Sequence, residues 1–214
     1  MTASTPEGLD SINGQVATYS TFAGSGGDGP ESGWEMLYQV MTGVGTTLGG
    51  ASVPAFDPAS AHPAAFPGPE EVGDLPGVGF REGSLPIIVW FTDAPNHSPG
   101  VAGAATREDA MTALVARSAR IVGVVSADGD GPARPDVTHA VTGTESYVPP
   151  EAWGPAASRP GGCGEGQCCT GLNGVGEAPD GSGRCPVIFG ISGNGSGLGD
   201  AVADAVEVLS LIHI

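Results

Sequence analysis

Two stretches of the sequence place oxygen-bearing side chains where they could do chemistry. Gly27-Asp28-Gly29-Pro30-Glu31 stands at the entrance of a helical segment, and Asp93 follows directly on the apolar run Pro86-Ile-Ile-Val-Trp-Phe-Thr92. A carboxylate just after a buried strand, with two more from a neighbouring loop, makes a set of hard oxygen donors suited to Mg²⁺ or Ca²⁺. In open parallel sheets, ligands gather at the carboxyl ends of the strands. The same residue types also have an ordinary use, because Asp and Glu are common in turns and offset the helix dipole at N-termini. Spacing alone leaves both roles open for Glu31. His97, four residues beyond Asp93, stands on the same loop, where it can either touch a ligand or cap the turn.

Two further stretches could carry chemistry. Cys163, Cys168, Cys169 and Cys185 fall within one Gly-rich segment, but their spacing is not that of a paired structural zinc site. Two disulfides stapling the loop are expected, with three possible pairings. A thiol nucleophile would need an adjacent base, and no local pattern ties His62, His97 or His139 to a cysteine. Gly193-Asn-Gly-Ser-Gly-Leu-Gly199 lacks both the Lys of a phosphate loop and the spacing of a dinucleotide loop, and is expected to be a flexible turn.

The elements that must position these residues follow from hydrophobic period. Ser32-Gly-Trp-Glu35 has the form of a capping box, and Trp34, Leu37, Tyr38 and Met41 recur at helical spacing, predicting a helix over 32–42. Pro86–Thr92 reads as a central parallel strand buried on both faces. Thr106-Arg-Glu-Asp109 opens a helix with Met111, Leu114 and Val115 on one stripe, and Ile121–Val125 follows as a second buried strand. A short helix at 137–141, an extended piece near Tyr147, a strand over 186–191 and a helix over 199–209 complete the order. Strand, helix, strand points to an α/β fold with a doubly wound, mostly parallel sheet of Rossmann-like order. Residues 43–84 are expected to form a long Gly/Pro/Ala-rich loop, and 150–184 a Cys-rich one.

Composition narrows the function. Gly 37 and Pro 19 make about a quarter of the 214 residues, so ordered elements should be few and short. Seven basic residues against 24 acidic give a net charge of -17, which repels phosphate backbones and attracts cations; nucleic acid is excluded as a partner on that ground. No run reaches the roughly 18 apolar residues of a membrane span. The clustered cysteines suggest an oxidised, exported protein, secreted or at the cell surface, whose leader is expected outside this sequence. Leu209-Ser-Leu-Ile-His-Ile214 breaks the preceding Ala/Val/Asp pattern and is expected to be a non-native tail.

Three motifs in order carry a family likeness: Gly27-Asp-Gly-Pro-Glu-Ser-Gly-Trp-Glu-Met-Leu-Tyr-Gln-Val40, then Gly79-Phe-Arg81, then Ile87-Ile-Val-Trp-Phe-Thr-Asp-Ala-Pro-Asn-His97. Together they resemble von Willebrand factor A-type domains of the integrin β-subunit kind over roughly residues 26–126. The resemblance implies that Glu31 ligates Mg²⁺ or Mn²⁺ at an adhesion site, that Asp93 completes it through water, and that Asp28, the Pro30 carbonyl and Glu31 line an adjacent Ca²⁺ site. It implies no catalysis: the metal takes up a carboxylate presented by a partner protein. Gly26 stands where the family has Asn, and the family's Asp-x-Ser-x-Ser motif does not stand upstream of Glu31. Residues 1–208 are therefore expected to be a partial A-like domain whose first strands are missing, holding half of the metal cage. The alternatives are a structural surface module with a degenerate metal site, and a Mg²⁺-dependent hydrolase using Asp28, Glu31 and Asp93.

Overall fold

A computed structural model describes residues 30–48, 51–56, 77–80, 82–97, 101–126, 130–160, 162–199 and 201–204. Its centre is a parallel sheet. Strand β3 (Ile87–Thr92) pairs with β4 (Arg120–Ser126), and β4 pairs on its other side with β7 (Ile188–Ile191). The run Ile121–Val125 is buried throughout, as a strand covered on both faces requires. The central strand is thus β4. Among the described residues β3 pairs on one side only; its burial alternates, with Phe91 46% exposed, which corrects the expectation that Pro86–Thr92 is buried on both faces.

The period of two in β4 divides the interior. Ile121 and Val125 face a core made with helices α1 (Gly33–Thr42), α2 (Arg107–Ala116) and α3 (Asp130–Gly143), which contribute Leu37, Met41, Leu114, Val137 and Val141. Gly123 lies on that face, where a Cβ would come within 2.1 Å of Val137 Cγ1, so its bare backbone sets how closely α3 approaches. Val122 and Val124 face a second core with Val148, Trp153, Val187, Phe189 and all four cysteines. The disulfides are Cys163–Cys169 and Cys168–Cys185. Arg159 braces the same segment by donating to the carbonyls of Pro150, Gly154, Gly164 and Gln167. Residues 198–199 and 201–204 are helical and lie against this second face through Leu198 and Ala201. The α/β class with a parallel sheet is as expected.

Several elements differ from their sequence expectation. Within the 43–84 segment, β1 (Thr46–Leu48) and β2 (Ala51–Val53) form an antiparallel pair, Leu48 standing opposite Ala51. Helix α3 has fourteen residues instead of five, with Pro135 inside it. The 186–191 run divides: β6 (Cys185–Pro186) pairs with β5 (Tyr147–Val148), and Val187 separates it from β7. On α2, Leu114 is buried but Val115 points outward at 55% exposure, so the stripe is narrower than Met111, Leu114 and Val115 together. The 209–214 tail lies outside the described residues.

Candidate functional site at the end of strand β3

The turn after β3 is fixed locally. Thr92 Oγ1 donates to the Ala94 carbonyl at 2.8 Å and accepts from the Ala94 N–H at 3.3 Å, a short side-chain turn that throws Asp93 into solvent. Beyond it the chain runs extended, and Glu31 lies alongside as a parallel bridge partner of Asn96. The Glu31 N–H donates to the Pro95 carbonyl at 2.8 Å, and the His97 N–H donates to the Glu31 carbonyl at 3.0 Å. The loop that opens α1 and the loop that closes β3 are therefore joined by backbone bonds, although more than sixty residues separate them in sequence.

Helix α1 begins at this junction without the expected cap. Ser32 has φ -97 and ψ 39 and makes no side-chain cap, while the Glu35 carboxylate turns away from it. One Glu35 oxygen accepts from the Ala105 N–H and the other from Gln39 Nε2. The Ser-x-x-Glu pattern closes no capping box: the loop ahead of α2 offers a partly buried N–H that a charged acceptor bonds more strongly than a neutral one would. Trp34, the residue before Glu35, packs edge-on against Trp90 of β3 at 5.4 Å and against His139 of α3 at 6.1 Å.

Asn96 ties the junction to α3. Its N–H and its Nδ2 both donate to Asp136 Oδ2, at 2.8 and 3.1 Å. Its Oδ1 is buried without a hydrogen-bond partner and lies close to Gly33, where a Cβ would come within 2.4 Å of it. A cleft of about 260 Å³ opens here, walled by Glu31, Trp34, Glu35, Asn96, His97 and Asp136. A larger groove of about 690 Å³ between α1 and the β1–β2 hairpin is mainly apolar.

The sequence-derived site residues divide as follows. Glu31 and His97 line the cleft; Asp93 does not, standing exposed on the adjoining turn, and Pro30 directly precedes the paired Glu31. Asp28 lies outside the described residues. The donor chemistry suits a hard cation, since Glu31 and Asp93 offer carboxylates and Pro30 a carbonyl. The number does not: among the described residues no group of three or more His, Cys, Asp or Glu is placed to hold a metal ion. Sequence reasoning missed Asn96, Asp136 and Glu35 as members of the junction. Asn96 sat in plain view between Pro95 and His97, but Asp136 carried no signal, being embedded in a Pro- and Gly-rich stretch.

No protein-family model matches this chain, and no significant match was found among curated proteins or solved structures.

Proposed function

We propose that the chain is a metal-dependent protein-binding module of adhesion type, secreted or at the cell surface, and not an enzyme. The observation that carries this reading is the backbone pairing of Glu31 with Pro95 and His97. It sets a carboxylate-bearing loop beside the Asp93 turn at the carboxyl end of a parallel strand, the edge where such sheets bind ligands. In this reading the three-stranded sheet is part of a doubly wound domain of von Willebrand factor A type. A bound Mg²⁺ or Mn²⁺ supplies an open coordination position for a partner's carboxylate. Glu31 and Asp93 hold it, and Asp28 with the Pro30 carbonyl serves an adjacent Ca²⁺. Two disulfides with four buried cysteines fit an oxidising compartment. Among the described residues no helix is long and apolar enough to cross a membrane.

With so few protein donors the metal keeps most of its waters, and affinity is expected near the roughly millimolar level of weak extracellular sites. Calorimetric titration of Mg²⁺, Mn²⁺ and Ca²⁺ into the chain, beside Glu31→Ala and Asp93→Ala, tests this. Heat of binding that both substitutions abolish supports the adhesion site. Binding indifferent to both, or none at all, leaves the second reading, a structural surface module, which the lack of a three-donor group among the described residues favours.

A further inference from the structure

We propose that Asp136 is a positioning residue for this site: its carboxylate holds the 93–97 loop, and through it Glu31, in register for ligand binding. The proposal rests on the adhesion reading for its functional part and on hydrogen-bond geometry for the rest. Asp136 Oδ2 accepts two bonds, and both come from one residue, Asn96. The residues on either side of Asn96 make the two bonds to Glu31, Pro95 by its carbonyl and His97 by its N–H. One carboxylate therefore controls the only segment that the Glu31 backbone pairs with among the described residues. A charged acceptor with two donors is stronger than a neutral pair.

The placement of Asn96 shows why a latch is needed. Its side chain stands between the first residue of α1 and the second turn of α3, with Oδ1 buried against Gly33 and unpartnered. An acceptor buried without a donor is costly, so the conformation persists only where other contacts over-determine it. The bonds to Asp136 are those contacts. Asp136 itself is only half-buried, while its helix is held to the sheet by Ala133, Val137, Ala140 and Val141. Removing the carboxylate should free the loop without unseating α3.

The test compares Asp136→Ala and Asp136→Asn with the unsubstituted chain by two readouts: amide hydrogen exchange and Mn²⁺ affinity. In Asp136→Ala, the Glu31 and His97 amides, bonded across the junction, and that of Asn96 should exchange about tenfold faster or more, while those of Val122 and Val124 in β4 stay protected. Mn²⁺ affinity should fall about tenfold, the lower end of the loss seen when a partner that orients a ligand is removed. Asp136→Asn keeps an acceptor oxygen and should recover most of the protection, which guards against a variant that fails to fold. Unchanged exchange at the three junction amides in Asp136→Ala overturns the latch. Unchanged Mn²⁺ affinity with faster exchange overturns its functional role. If the unsubstituted chain takes up no Mn²⁺, the adhesion reading falls and with it the role for Asp136 in ligand binding, while the exchange data still decide the latch.

Discussion

At the scale of single residues, Gly33 is where the junction tolerates least. A Cβ there would lie 2.4 Å from Asn96 Oδ1 and 2.7 Å from Trp90 Cζ2. Neither neighbour can withdraw easily, since Asn96 is held by Asp136 and Trp90 is buried. Ala is intrinsically better than Gly in a helix by about 1 kcal/mol, but overpacking a close-fitted site costs about 1–3 kcal/mol. Gly33→Ala is accordingly expected to destabilise the chain by about 1 kcal/mol net, measured by urea unfolding; a stabilised variant would show that the contact relaxes freely. The need for glycine here is tertiary, set by Asn96 and Trp90, and nothing in the residues beside Gly33 signals it. Glu31 could be singled out because it carries a carboxylate at the entrance of a helix, and the structure sets it in the cleft wall, whereas Asp93, singled out on the same ground, stands outside it. Asn96 and Asp136 could not be singled out, because their roles exist only when residues forty apart in sequence meet.

At the scale of elements, local signals that depend on local partners survived into the structure. Thr106 and Asp109 form the full capping box of α2: Thr106 Oγ1 accepts from the Asp109 N–H, and the Asp109 carboxylate accepts from the Thr106 N–H and hydroxyl. Ser32 and Glu35 share the pattern but not the outcome, because the Ala105 N–H competes for the Glu35 carboxylate. Sequence period found β3, β4 and α2, while Pro135 disguised the length of α3 and the Gly-rich surroundings hid the β1–β2 hairpin. Thr106→Ala should weaken the chain by about 1 kcal/mol, the usual loss of an N-cap. The Asp109 carboxyl is held below the ordinary carboxylate range, chiefly by the Thr106 hydroxyl bond and then by the Thr106 N–H. A carboxylate whose folded value is depressed contributes stability above its unfolded value and loses it as pH falls through the folded one. The stability gap between the unsubstituted chain and Asp109→Asn should therefore be present at neutral pH and close in acid, below the ordinary carboxylate range. Urea unfolding at both conditions measures it, and a gap that widens in acid would contradict the cap.

At the scale of the whole molecule, charge and covalent closure act together. All seven basic residues are Arg. Arg120 donates to the Thr144 carbonyl, Arg159 braces four carbonyls, and Arg184 lies over the Tyr147 ring while bonding Asp180 and Glu145. Such contacts leave the net charge of -17 unchanged, so an acidic excess remains as the far field of the molecule.

The second core has a different kind of support from the first. Three helices cover one face of the sheet, whereas a segment with little regular structure covers most of the other and depends on Cys163–Cys169 and Cys168–Cys185. The presence of bridges was legible from four clustered cysteines, but not their pairing, because adjacent Cys168 and Cys169 serve different bridges and only the folded loop decides which. Chain-closure entropy ranks the two: a 17-residue separation is worth about 3 kcal/mol and a 6-residue separation about 2 kcal/mol. Cys168→Ala with Cys185→Ala should thus cost more stability than Cys163→Ala with Cys169→Ala, and should loosen Trp153 and Phe189, which pack in the same cluster. Urea unfolding followed by tryptophan fluorescence gives the ranking, and exchange of the Phe189 amide reports the loosening. Because Cys168, Cys169 and Cys185 are essentially fully buried, mild thiol should leave both bridges intact in the native chain and cut them only in denaturant. Ready reduction under native conditions would show that this face opens far more often than its packing implies.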